Sequence, residues 1–172
     1  MAENVGRFYI TVASTLEDLA DIASLFNAYT TSLGIDLAFQ DFATELASLP
    51  GRYSPPSGTL LLARDTNSQA IGCVALRPQA QPEFCEMKRL YVSPHGRGLG
   101  LGRALAERVV RDAGRMGHRF MRLDTLPSMA AARALYGELG FEEVGAYYET
   151  PLEGTIFLEL DLAAEVALPS AQ

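Results

Sequence analysis

His95–Arg103 reads HGRGLGLGR, and this glycine-rich stretch sets the architecture of a chain of 172 residues. It follows a run typical of a strand, Glu83–Val92, and precedes apolar residues at helical spacing over Leu101–Met116. A further apolar run, Arg119–Thr125, predicts a second strand. Strand, helix and strand together make a βαβ unit whose helix has a glycine-rich entry.

The entry to this helix is a candidate anion site. The first amides of a helix have no partner inside it, and the positive end of the helix dipole points outward, so such a turn binds phosphate. The spacing excludes two familiar phosphate loops. A dinucleotide fingerprint needs a sixth-place glycine, where this chain has Leu101 or Arg103. A Walker loop ends in Gly-Lys-Ser/Thr, but Lys88, the single lysine, precedes the stretch.

The remaining elements are predicted from apolar periodicity and turn residues. They are a strand at Arg7–Ala13, two helices at Leu16–Phe26 and Phe39–Leu49, a hairpin at Thr59–Arg64 and Ala70–Arg77, a helix at Met129–Leu139, and closing strands at Phe141–Val144 and Thr155–Leu162. Thr15 with Asp18 at the third place after it is typical of a capped helix start.

The strand before the glycine-rich stretch alternates irregularly. Its apolar set Cys85, Met87 and Tyr91 is interrupted by Arg89. A β-bulge near Lys88–Leu90 would explain this, because one extra residue re-aims the side chains beyond it. An ordinary strand with one arginine reaching solvent is the other interpretation.

The composition, 48% hydrophobic and 20% charged, fits one globular domain. We expect a single domain over residues 1–172, with a core at about 7–162 and a flexible tail at 163–172. The longest apolar stretches fall short of the ~20 residues of a membrane-spanning helix, and the start lacks a secretory signal. We therefore expect a cytoplasmic protein. Cys73 and Cys85 are too few for a zinc cluster by themselves, and we expect free thiols.

The net charge of −7 comes from 21 acidic and 14 basic residues. Its long-range field repels phosphate backbones and anionic lipid, which argues against nucleic acid and membrane as partners. An acidic surface suits cationic acceptors, whether small molecules or proteins.

Arg97–Gly102 matches the pattern Arg-x-x-Gly-x-Gly, directly after a strand and before an amphipathic helix. In this motif, in Met87–Val92 before it and in Ala132–Phe141 after it, the chain resembles the GCN5-related N-acetyltransferase (GNAT) superfamily. The resemblance covers Arg7–Leu162. It implies a mixed α/β domain with a mostly antiparallel twisted sheet, split at a V-shaped opening and flanked by about four helices.

The resemblance also implies the reaction: acetyl transfer from acetyl-CoA to a primary amine, by direct attack in a ternary complex and without a metal. The acceptor would be a small molecule or amino-acid-like. In the family the pyrophosphate binds the glycine-rich loop, and the pantetheine arm is expected to pair with the splayed strand. The residues expected to bind acetyl-CoA are Leu90, Tyr91, Val92, Arg97, Gly98, Leu99, Gly100, Leu101, Gly102 and Arg103.

Two catalytic residues are expected. A lysine-like amine, with a pKa of ~10.4, is almost fully protonated at neutral pH, so a base must take its proton. Glu86 stands where histone acetyltransferases of the superfamily carry a glutamate base, and burial could tune its pKa upward. Alternatively, Glu86 pairs with Lys88 or an arginine. Tyr136 matches the tyrosine that family members place near the sulfur, where it would protonate the departing thiolate.

The family often has Asn seven residues before this tyrosine, where the chain has Met129, so from that helix only Tyr136 is carried over. Tyr147, Tyr148 and Glu149, with Tyr29, are candidates for an acceptor groove. Two alternative functions remain at this point: an acyl-CoA sensor without turnover and a protein N-acetyltransferase. A homodimer is left open.

Overall fold

The computed structural model describes residues 3–4 and 6–165. Its strands are β1 (Glu3–Asn4), β2 (Phe8–Val12), β3 (Thr59–Asp65), β4 (Ala70–Pro78), β5 (Phe84–Val92), β6 (Phe120–Thr125), β7 (Glu142–Val144) and β8 (Ile156–Asp161). They form an eight-stranded sheet in the order β1-β2-β3-β4-β5-β6-β8-β7. The β5–β6 pair is parallel and the other neighbours are antiparallel, which confirms the expected mixed sheet and the βαβ unit.

Helices lie on both faces of the sheet. They are α1 (Leu16–Leu33), α2 (Phe42–Ala47), α3 (Leu101–Arg115), α4 (Ala130–Glu138) and α5 (Leu162–Glu165). Helix α2 is shorter than predicted, while β1 and α5 were not predicted. Of the predicted tail, 163–165 belong to α5 and the rest lies outside the described residues. In the ranges that the structure describes, no helix combines the length and hydropathy needed to cross a bilayer.

Helix α1 begins where the sequence indicates. Thr15 Oγ1 accepts a hydrogen bond from the Asp18 amide at 3.1 Å, and Asp18 Oδ2 accepts one from the Thr15 amide at 3.1 Å. This reciprocal capping box satisfies amides that the helix itself cannot. Gly34, with φ of 64°, ends the helix in the left-handed conformation that glycine adopts without strain.

A β-bulge interrupts β5, which confirms the first of the two interpretations of its irregular alternation. Cys73 on β4 pairs with Tyr91, and Ala75 pairs with Lys88. A step of two residues along β4 therefore corresponds to a step of three residues along β5. The extra residue is accommodated by Arg89, whose φ is 59°. Arg89 is only 6% exposed, so the alternative of an arginine reaching solvent is wrong.

The sheet opens between its two parallel strands. Strands β5 and β6 pair over three positions, the last joining Glu86 to Arg122. Beyond this pair both strands continue, to Val92 and Thr125, without pairing to each other. This is the predicted V-shaped opening, and the bulge at Arg89 lies on its β5 side.

The two faces of the sheet differ at this opening. On one face Met87, Met121 and Leu123 pack in the core beneath α3 and α4. Because side chains alternate along a strand, Glu86 and Lys88 emerge on the other face. Both are nonetheless buried, at 2% and 7% exposure. Charged groups therefore line one side of the opening and apolar groups the other.

Candidate active site

The entry to α3 leaves its first amides open. Gly100 precedes the helix with φ of 75°, and no side chain caps it. Gly98 has a similar φ of 74°, and a Cβ added at Gly98 or Gly100 would meet no atom within 4 Å. Glycine is therefore required here by backbone conformation, while the space beside the turn is open to a ligand. Leu101 is 1% exposed and anchors the turn in the core.

A cleft of about 630 Å³ lies between the end of β5, the start of α3 and the length of α4. We refer to it as the large cleft. Six of the predicted acetyl-CoA residues line it: Leu90, Tyr91, Val92, Arg97, Gly102 and Arg103. The other four, Gly98–Leu101, form the turn beside it rather than its wall.

The two arginines of the large cleft differ in their partners. Arg103 forms an ion pair with Glu138 across the cleft and a second one, at 3.6 Å, with Glu107. Arg97 is exposed, and no carboxylate of the described residues pairs with it. Arg97 is thus immediately available to an anion, whereas Arg103 must share its charge with two glutamates.

Helix α4 contributes a wall that was not predicted from the sequence. Ser128, Met129 and four alanines at the start of α4 line the large cleft. Small side chains leave room for a ligand along the helix. The alanines at positions 130, 131, 132 and 134 were the available signal. Only Tyr136 had been carried over from this segment.

A narrow cavity of about 40 Å³ occupies the opening between β5 and β6; we call it the central cavity. It shares Tyr29, Leu33, Leu90 and Met129 with the large cleft. Tyr136 lines it and is 6% exposed. Burial raises the pKa of Tyr136, and Tyr29 and Asp124 raise it further, so the phenol keeps its proton at neutral pH.

Glu86 lies at the last position at which β5 pairs with β6, and both of its carboxylate oxygens have partners. Oε1 accepts a hydrogen bond from Arg77 Nε at 2.8 Å and forms an ion pair with Arg77 Nη2 at 2.6 Å, and Oε2 accepts a hydrogen bond from the Tyr147 hydroxyl at 2.7 Å. Burial raises the pKa of Glu86, but Lys88, Arg77 and these hydrogen bonds outweigh it and leave the pKa below its usual value. The expectation of an upward shift is wrong. The alternative of pairing with an arginine is confirmed.

Lys88 and Asp124 face each other across the central cavity. Lys88 Nζ lies 3.8 Å from Asp124 Oδ1 and donates to Gln40 Oε1 at 3.2 Å. Burial lowers the pKa of Lys88, although Glu86 and Asp124 act in the opposite direction. The Arg89 guanidinium also donates to Gln40, at 3.0 Å, and pairs with Glu45 at 2.7 Å. The charges on this face are therefore held in a hydrogen-bonded network.

A further cavity, of about 310 Å³, opens on this charged face. We call it the arginine pocket, because Arg52, Arg77 and Arg122 line it together with Glu86. Of the candidate acceptor residues, Tyr147 and Tyr148 line this pocket. Tyr29 lies instead between the large cleft and the central cavity, and Glu149 is exposed.

Comparisons with known proteins agree with this arrangement. The chain is 38% identical to an uncharacterized N-acetyltransferase of Schizosaccharomyces pombe, over 90% of this chain and 94% of that protein. It is 29% identical to the N-acetylaspartate synthetase of Danio rerio over 86% of this chain, which spans about half (53%) of that protein. A GNAT-family acetyltransferase structure from Staphylococcus aureus superposes with a TM-score of 0.73 at 18% identity, covering 89% of this chain and 99% of that one.

The family assignment rests on most of the chain. Residues 19–141 match the model of the acetyltransferase (GNAT) family, and this range contains the glycine-rich turn, the V-shaped opening and Tyr136. With an open helix entry beside a large cleft, and with N-acetyltransferases as relatives, the chain belongs to the GNAT acetyltransferase family.

Proposed function

We propose that this chain transfers the acetyl group of acetyl-CoA directly to the primary amine of a small, amino-acid-like acceptor in a ternary complex. The observation that carries the proposal is the separation of β5 and β6 beyond Glu86 and Arg122. The central cavity at this opening shares walls with the large cleft on one side. On its other side, charged side chains of β5 connect the central cavity with the arginine pocket. Two substrates can therefore meet there from opposite sides.

The large cleft fits acetyl-CoA in size and chemistry. Its volume of about 630 Å³ lies within the ~300–1,000 Å³ of small-molecule sites. Open amides at the α3 entry, with Arg97 beside them, suit the diphosphate. The edge of β5 beyond Glu86 suits the amides of the pantetheine arm. These donors act at short range, where their attraction for the phosphates outweighs the repulsion that comes from the net charge of −7.

Bound acetyl-CoA supplies a thioester whose acetyl group is the group transferred. Tyr136, protonated and in the central cavity, delivers a proton to the departing sulfur, and the proton that the attacking nitrogen loses as the amide forms restores the phenol. An amide at the bulge, from Arg89 or Leu90, holds the acyl oxygen as negative charge develops on it. The side chains of these two residues are not required for that step.

Glu86 takes the proton of the acceptor amine, directly or through water. Because its pKa is lowered, Glu86 is ionised throughout the neutral range and accepts hydrogen bonds from an ammonium group. It is therefore the first acceptor of the proton, which passes on to solvent. An acid of such low pKa does not retain it.

Two observations support an amino-acid-like acceptor. The Danio rerio relative is named as the synthetase of N-acetylaspartate, an N-acetylated amino acid. The acceptor side of this chain carries two adjoining cavities of about 310 and 300 Å³, each of a size that suits a small molecule.

The proposal is tested by thiol release from acetyl-CoA with a panel of amines, followed by initial velocities with both substrates varied. Direct transfer predicts amine-dependent thiol release and intersecting reciprocal plots. Parallel plots would rule out the ternary complex. Tight CoA binding without release for any amine, unchanged in Tyr136→Phe, would favour a sensor instead.

A further inference from the structure

The arginine pocket carries a charge opposite to that of the whole chain. Three guanidinium groups, from Arg52, Arg77 and Arg122, line it, and Glu86 is the one carboxylate among its described lining residues. The local charge is therefore positive in a protein of net charge −7. A pocket of this sign disfavours a polycationic acceptor, although the long-range field would attract one.

The three arginines are not equally neutralised. Arg77 is paired with Glu86, and Arg122 donates from Nε to Glu159 at 2.8 Å. Arg52 is exposed and donates from Nη2 to the carbonyl of Pro78 at 3.1 Å, and within residues 3–4 and 6–165 no carboxylate forms an ion pair with it. Arg52 therefore supplies the uncompensated charge of the pocket.

Arg122 is held in a fixed orientation, and part of its guanidinium remains available to donate hydrogen bonds to a ligand. Its guanidinium lies 3.8 Å from the centroid of the Phe84 ring, and Nη1 donates weakly to Gln79 at 3.4 Å. No partner of Nη2 occurs among the described residues. A guanidinium presents its donors in a planar fork that matches a carboxylate, and prior fixation reduces the entropy lost on binding.

We infer that the arginine pocket binds the side-chain carboxylate of the acceptor, so that the acceptor is an acidic amino acid. This inference rests on the proposed acetyl transfer and specifies its substrate class. Arg52 is the principal contact and Arg122 the second. The pocket reaches Glu86, and Lys88 of the central cavity stands two residues farther along the same face of β5, roughly 6.6 Å away. This separation suits a short acceptor whose amine points toward the opening.

The test compares L-aspartate with L-asparagine, and L-glutamate with L-glutamine, because each pair differs only in the side-chain charge. The full chain should prefer one of the acids over its amide by about tenfold or more in kcat/KM. Arg52→Gln should raise KM for that acid about tenfold with little change in kcat, and leave the amide unaffected. Arg115→Gln, at the exposed far end of α3, is the matched control and should change neither.

The outcomes separate this inference from the proposed function. Acetyl transfer that favours spermidine or the amides would overturn the inference and leave the acetyltransferase activity standing. Absence of thiol release with every amine would overturn the proposed function. The pocket remains testable in that case, because L-aspartate or L-glutamate with CoA present should raise the melting temperature of the wild type but not of Arg52→Gln. No such rise in the wild type would overturn the inference.

Discussion

The Tyr147 hydroxyl donates a hydrogen bond to Oε2 of Glu86 over 2.7 Å, joining residues 61 apart in the chain. With Arg77 on the other oxygen, Tyr147 fixes the carboxylate in orientation and in its ionised form. The segment between β7 and β8 thus closes over β5 at the mouth of the opening. We propose that this carboxylate both lines the acceptor pocket and removes the proton of the acceptor amine.

Replacing Glu86 should destabilise the fold in a pH-dependent way. Glu86→Gln leaves the half-buried Arg77 without its charge partner, and this lowers the free energy of unfolding by about 1–3 kcal/mol at neutral pH. Because the folded-state pKa of Glu86 is lowered, this stabilisation is fully present above the unfolded pKa of ~4.3 and is lost as the pH falls through the folded value. Denaturant unfolding of both proteins between about pH 6 and pH 3 measures it.

The difference in unfolding free energy between wild type and Glu86→Gln should shrink toward the acid end of that range. Glu142→Gln, an exposed strand carboxylate, should show no comparable difference. A difference that stays constant with pH would mean that folding does not shift the pKa of Glu86, and a difference that grows toward acid would mean that folding raises this pKa.

Tyr136→Phe should lower kcat by ~10²-fold with little change in KM, because it removes a proton donor and leaves the ring packed against Phe141. Since burial raises the pKa of Tyr136, wild-type kcat should not fall up to about pH 10, where an ordinary tyrosine is already half ionised. Tyr9→Phe, on β2, is the control. Unchanged kcat in Tyr136→Phe would remove this residue from the mechanism.

Glu138→Gln should tighten CoA binding by a few-fold, on the order of 0.5–1 kcal/mol, as expected for an exposed ion pair. The change frees Arg103 from its partner across the large cleft and removes a negative charge from the cleft wall. Glu143→Gln, exposed on β7, should leave the affinity unchanged. Isothermal titration at low ionic strength measures both. Weaker binding in Glu138→Gln would indicate that Glu138 orients Arg103 for the ligand.

Local features of this site were predictable from the sequence. The capping box of Thr15 and Asp18 and the glycine turn at Gly98–Gly100 depend on atoms a few residues apart, so their residue types indicate their geometry. The bulge at Arg89 was also indicated, because an extra residue shifts the alternation of side chains along a strand.

Features that depend on distant contacts were not predictable. Burial raises the pKa of Glu86, while Lys88 on the same strand, Arg77 on the neighbouring strand and the distant Tyr147 lower it, so both burial and charge had to be known to find its direction. The arginine pocket likewise joins several segments. A partial signal existed in β6, where Arg122 and Asp124 alternate with buried Met121 and Leu123 and mark a polar face of the sheet.

The central claim is that the main chain at the α3 entry holds the diphosphate of CoA, and Gly100→Val tests it most directly. Gly117→Val is the matched control, because Gly117 has φ of 91° at the other end of α3 and equally open space around it. CoA at 100 times its dissociation constant stabilises a protein by ~2.7 kcal/mol, or about 5–10 °C for a chain of this size. We predict that Gly117→Val keeps this rise in melting temperature and Gly100→Val loses it. A full rise in Gly100→Val would contradict the assignment of the turn.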